Sequence, residues 1–291
     1  MVGQRSGSRR TRAASIAVIC AVVVAFAACT PQGTSVFAPP VVTVFDSTYN
    51  PLPPNVASEG VECCQTQEFG DEILLAGTAR HMDVATVTMS DWAIASDPIN
   101  VSFCNAHPTT CVSGPNGGWK HDITLNLYQT SHADPGVPAV GPLITSITEN
   151  VFVPWRPETS PGCGKDSAYQ INDTGTCYHG KAFNITFDLT SLNLVAPSDM
   201  IWGVSYNSTH YGKFPIGGPG GPYDSLNVGA DGAGASVGTD PELAAVFWNT
   251  SFAGFYGDGG ASGVGTFRRD YNNDPINGWG GYTPNFKLTA H

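Results

Sequence analysis

The chain has 291 residues, 41% of them hydrophobic and only 13% charged, with 34 Gly and 22 Pro. So many turn formers against so little charge argue against a helical protein and for short strands joined by loops. The formal net charge of −11 excludes nucleic acid and anionic membrane surfaces as partners, since both would repel it.

The chain opens on Arg5, Arg9, Arg10 and Arg12, followed by an apolar run of 16 residues over 13–28. That run is too short for a comfortable membrane span, and its basic lead fits an export signal over residues 1–28. Phe26-Ala27-Ala28-Cys29 resembles a bacterial lipobox, with Phe where Leu is usual. No polar spacer separates the apolar run from Cys29, which is read as lipidated; ordinary cleavage after Ala27 is the alternative. Losing the signal removes four of thirteen basic residues and leaves nine against 24 acids, a net of −15. Any contact with a membrane is therefore expected only through the lipid. Residues 29–40, with three Pro, read as a tether, lipid-anchored or free, and 41–291 as one folded domain.

Residues 41–45 read as the first strand and 50–54 as a Pro-rigid loop. Residues 72–76 form a short apolar run bounded by Gly70 and Gly77. The acidic cluster Glu68, Asp71 and Glu72 before it reads as a solvated turn, with a cation or acid/base site as the sharper alternative. From His81 the chain alternates. Met82, Val84, Thr86, Thr88 and Ser90 share one face, and Asp83, Ala85, Val87, Met89 and Asp91 the other, until Trp92 closes the strand. Residues 96–120 read as a loop. The next strand, 121–129, places Ile123, Leu125 and Leu127 on one face. Further strands are expected over 143–153, 182–189, 200–206, 225–228, 244–248 and 286–290, with a loop insertion over 154–180. Outside the signal, no segment shows ten residues of helical period. The fold class is all-β: a single two-sheet antiparallel sandwich, jelly-roll-like, with long Gly/Pro-rich loops.

Six cysteines remain beyond Cys20 and Cys29, and none forms C-x-x-C, so a zinc knuckle is not expected. In an exported chain disulfides are the default. Cys104 with Cys111, and Cys163 with Cys177, lie within single loops and are expected to pair. Cys63 and Cys64 remain as either a strained bond between neighbours or two thiols.

Catalytic patterns are weak. Residues 234–238 match G-x-S-x-G, but neither a strand before nor a helix after makes a nucleophile elbow. No histidine pair has metal-ligand spacing. Glu68, Asp71 and Glu72 lack the E-x-D-x-x-E spacing of jelly-roll glycosidases. Asp270, Asn272 and Asp274 place oxygens at alternate positions, as a loose calcium site would, and a structural calcium ion is the only cofactor expected. Among aromatic residues, Trp202 and Trp248 read as core, whereas Trp119, Trp155, Tyr211 and Trp279 sit in Gly/Pro-rich surroundings and are the candidate ligand-binding rings.

Residues 68–71 (EFGD), 75–80 (LAGTAR), 87–92 (VTMSDW), 202–207 (WGVSYN) and 223–228 (YDSLNV), with Ser58 and Gly60, resemble a group of exported, uncharacterised proteins of actinobacteria and other microbes. The resemblance spans most of 41–290 and implies a secreted β-sandwich; it assigns no site. Cys63 and Cys64 depart from its pattern, where small polar residues are expected. The functional expectation is a non-catalytic cell-surface protein that binds a carbohydrate or the envelope, with a cell-wall or extracellular polysaccharide as partner. A secreted glycan-acting hydrolase and a purely structural surface protein are the alternatives. Nothing in the sequence sets an oligomeric state.

Overall fold

A computed structural model describes residues 39–59, 66–134, 136–164, 168–171, 175–207, 225–250, 266–271 and 281–291. The expected export signal, Cys29 and nearly all of the expected tether lie outside the described residues, as do Cys63, Cys64, Tyr211, Asn272, Asp274 and Trp279.

The strands run in order as β1 (Val42–Asp46), β2 (Ala57–Glu59), β3 (Thr66–Leu74) and β4 (Met82–Asp91). A helix, α1 (Pro98–Ala106), precedes β5 (Cys111–Val112), β6 (Gly118–Asp134) and β7 (Val137–Pro154). Then come β8 (Tyr169–Gln170), β9 (Cys177–Tyr178), β10 (Lys181–Asp188), β11 (Asp199–Tyr206) and β12 (Leu226–Asp231). β13 (Ala245–Thr250), β14 (Arg268–Tyr271), β15 (Thr283–Pro284) and β16 (Phe286–Ala290) complete the described strands.

They form two seven-stranded sheets and a small β8–β9 ribbon, and every pairing between named strands is antiparallel. The all-β two-sheet reading therefore holds; the strand order does not by itself trace a jelly roll. In the first sheet β4 pairs with β10, β16 and β12. The second runs β14-β13-β3-β11-β6, with β7 along the far side of β6. That sheet curls until β14 approaches β7.

Alternation decides which face is buried. Ala85, Val87 and Met89 of β4 face Ile123, Leu125 and Leu127 of β6 and Met200, Trp202 and Val204 of β11 through one core, and all nine are fully enclosed. Trp202 stacks on Phe286 at 4.5 Å, joining the sheets, and burial of each large side chain contributes about 1.5–3 kcal/mol. Trp202 and Trp248 are core residues, as the sequence suggests.

Four local readings change. Residues 96–120 contain α1: Asp97 caps it by accepting from the Ile99 amide at 3.0 Å, and Pro98 starts it where no amide partner is needed. At nine residues, it is too short for a ten-residue period to register. Glu68, Asp71 and Glu72 are no solvated turn; they lie inside β3, at 8%, 2% and 5% exposure. Trp119 and Trp155 are buried, not exposed loop rings. Gly118 begins a strand where a loop is expected, and Gly117 leads into it; a side chain at 117 or 118 would meet the Val112 or the Val153 carbonyl at 2.2 Å, so glycine allows the close approach. Trp119 then stacks on Trp155, whose indole donates to Val112 O at 2.9 Å. Both expected disulfides form, Cys104–Cys111 and Cys163–Cys177. Among the described residues no helix is long and apolar enough to cross a membrane.

Candidate functional site

Trp92 follows the last residue of β4, where the chain leaves the sheet, and its ring stays 40% exposed. It is nevertheless fixed. Its indole Nε1 donates to Ser90 Oγ at 3.1 Å, and Ser90 Oγ donates to Asn55 Oδ1 at 2.8 Å. His179 stacks on it with ring centres 5.7 Å apart. The next residue must be Gly180, since a Cβ there would sit 2.3 Å from both Ser90 Oγ and the Trp92 nitrogen. Behind this, Tyr169 is buried; its hydroxyl donates to Gly180 O at 2.9 Å, and burial pushes its pKa up to about 12. The Cys163–Cys177 bridge ties β9, and with it Tyr178 and His179, to the preceding turn.

Trp92, Cys177, Tyr178 and His179 wall a groove of 670 Å³, which also holds Asn55, Val56, Ser58, Glu59, Ala230 and Tyr282. Tyr282 is 41% exposed and lies over Gly232. Ser58 Oγ is buried with no hydrogen-bond partner among the described residues. Aromatic faces beside a few polar groups, in a cavity of this size, suit an amphipathic ligand.

A second cluster lies on the curled sheet. Asp199 begins β11; Thr130 Oγ1 donates to its Oδ1 at 2.7 Å, and His132 Nε2 lies 2.8 Å from its Oδ2. Glu72, from β3, brings an oxygen within 4.8 Å of both. Burial, then repulsion from Asp199, pushes the Glu72 pKa up to about 7. Further along the same face of β3, Glu68 accepts from Asn126 Nδ2 at 2.8 Å and from the Tyr128 hydroxyl at 2.9 Å. Burial raises its pKa although both donors oppose the shift. On the core face of β3, Asp71 is pushed well up, by burial first and then by Asp240. Asp240 accepts from Thr283 Oγ1 at 2.7 Å. Burial raises the Asp240 pKa as well, so the two acids form an internal pair facing each other beneath the sheet surface.

The two ends of β11 place these clusters. Tyr206 ends the strand and donates to Leu226 O, and Leu226 pairs with Asp91 beside Trp92. Asp199 lies seven residues back, about 23 Å away at ~3.3 Å per residue. Trp92 and Asp199 thus lie toward opposite ends of β11, while the Tyr282 side of the groove adjoins β15, which contacts β3.

Of the ring candidates, Trp119 and Trp155 are buried, Trp155 also lining a pocket with Pro115, Arg156 and Lys181, and Tyr211 and Trp279 fall outside the described residues. Asp270 lies in β14, not a loop, paired with Val246 and 9% exposed; burial raises its pKa against the pull of Arg268 and Arg269. Asn272 and Asp274, which would complete a calcium loop, lie outside the described residues. The G-x-S-x-G serine, Ser236, donates to Asp46 O at 3.1 Å, and no helix follows it. Trp92, His179 and Tyr282 were missed as a set. The break in alternation at Trp92 was the available signal, but its partners come from distant segments. No family model, curated protein or solved structure matches the chain.

Proposed function

We propose that the protein is an exported, non-catalytic β-sandwich that binds a cell-wall or extracellular polysaccharide in the Trp92 groove. One observation carries this reading: Trp92 is 40% exposed yet locked by a hydrogen bond and a stacked His179, in a groove shared with exposed Tyr282. Fixing an exposed indole before the ligand arrives lowers the ordering cost of binding. A pyranose offers an apolar C–H face to such rings and hydroxyls to Asn55 and Glu59. The two disulfides support an oxidising compartment, in keeping with an export signal and a lipid anchor on Cys29.

The acid pair Glu72 and Asp199 favours a second reading, a glycan-acting hydrolase. Against it, the pair lies toward the far end of β11 from Trp92. A glycan array on the secreted protein tests the choice. Binding is expected, with Trp92→Ala weakening it about tenfold or more, as loss of a central aromatic anchor does. Absence of binding, or an unaffected Trp92→Ala, overturns the groove. Polysaccharide turnover that Asp199→Asn abolishes overturns the non-catalytic claim.

A further inference from the structure

We propose that Glu72, His132 and Asp199 form a site for a divalent transition-metal cation, zinc being the type case. The three residues come from neighbouring strands of one sheet, in the order β3, β11, β6. Glu72 pairs with Ile201 and Asp199 with Leu74, so the two carboxylates are diagonal neighbours on one face. The pairing of β6 with β7 slips between Tyr128 and Thr130 and again between Ser131 and Asp134, and this irregular stretch carries His132 to Asp199. One donor atom from each residue falls within 4.8 Å of the others, the spacing of ligands around a single ion.

An ion pair between His132 and Asp199 accounts for only part of this arrangement. It leaves Glu72, at 5% exposure, pressed on and hydrogen-bonded to the same Asp199 carboxyl. Glu242 adds negative potential, but Arg269 already holds it at 2.5 Å. A dipositive ion would balance Glu72 and Asp199, with His132 as a neutral ligand. The donor set also narrows the metal. Calcium and magnesium take oxygen ligands, whereas one imidazole with two carboxylates suits zinc, cobalt or manganese. The Thr130 hydrogen bond fixes one oxygen of Asp199 and leaves the other toward His132, as outer partners of metal ligands do. The His132 side chain is 53% exposed, which leaves an entry path and room for water at the remaining positions.

The test is calorimetric titration of chelator-stripped, full-length secreted protein with Zn²⁺, and optical titration with Co²⁺. One equivalent should bind, with the visible band of nitrogen- and oxygen-bound Co²⁺, and Ca²⁺ in excess should not displace it. Glu72→Gln, Asp199→Asn and His132→Ala should each lower the affinity at least about tenfold, and Thr130→Ala about tenfold. His179→Ala, in the groove, should bind as the parent does. Apo melting curves establish that the variants fold; Glu72→Gln is isosteric and is the decisive one. Absence of saturable one-to-one binding overturns the site. So does undiminished binding in Glu72→Gln and Asp199→Asn, which would place the ion on surface histidines. The saccharide titration of the parent is independent, so failure of the metal site leaves the groove standing.

Discussion

The groove and the Glu72 cluster solve different problems with the same backbone. At the Trp92 end, rings remain in solvent and are held from behind by neutral hydrogen bonds, a stacked imidazole and a disulfide. At the Asp199 end, charge is drawn into the sheet face and left close to like charge. The first arrangement costs little, because an exposed indole needs no desolvated partner. The second costs more, because a carboxylate beside another must find a proton or a cation. Cheap, rigid exposure suits weak recognition of neutral surfaces, whereas concentrated buried charge suits a small, strongly held ion.

The largest expected effect breaks this contrast at the groove from below. Replacing Cys163 and Cys177 by Ser should cost about 2–3 kcal/mol, the scale for closing a loop of this size, and should weaken saccharide binding because Tyr178 and His179 lose their tether. Replacing Cys104 and Cys111 should cost a similar amount but leave saccharide affinity unchanged, since that bridge joins α1 to β5. Denaturant unfolding alongside a binding titration separates the two. Equal binding losses in both pairs would mean that the groove responds to global stability and not to its own tie.

Next in size is Gly180→Ala, which alters no groove side chain. Its new methyl meets Ser90 Oγ and Trp92 Nε1 at 2.3 Å and Asn55 Oδ1 at 2.5 Å. Overpacking of this kind costs about 1–3 kcal/mol, and the indole must turn to relieve it. Saccharide affinity should fall with little change in zinc affinity. Affinity equal to the parent's would show that Trp92 does not need its lock.

Much of this frame is legible in the sequence, because period-2 patterning reports burial directly. Ile123, Leu125 and Leu127 announce the core face of β6, and residues 286–290 bound the last strand as observed. The two disulfides follow from short spacing alone. The sites are less legible, for one reason in two forms. Trp119 and Trp155 look exposed because Gly and Pro surround them, yet those glycines serve close strand approach. Glu68, Asp71 and Glu72 look solvated because they are charged, yet β3 is central and covered on both faces. In each case the environment is set by strands far away in sequence. Trp92 needs His179, and Glu72 needs Asp199 and His132, partners that no local pattern names.

The smallest effect concerns Glu68, the third acid of β3, and sharpens the claim that charge in this sheet is costly. Burial raises its pKa above the usual 4.5 even though Asn126 and Tyr128 both donate to it. The folded chain therefore holds this proton more tightly than the unfolded chain does. Between pH 4.5 and the raised folded value, the folded state binds more protons, so the contribution of Glu68 to stability is full below 4.5 and falls as pH rises through that window. Glu68→Gln keeps an oxygen to accept both donors but cannot ionise. The variant should gain on the parent as pH rises, by about 1 kcal/mol at neutral pH, the scale on which single hydrogen-bonded groups differ. Glu68→Ala should instead lose about 1–3 kcal/mol at every pH, because Asn126 and Tyr128 are left without their acceptor. Urea unfolding from pH 4 to 8 reads all three. Parallel curves for the parent and Glu68→Gln would mean that the two donors fully offset burial, and that this part of the sheet carries its charge without strain.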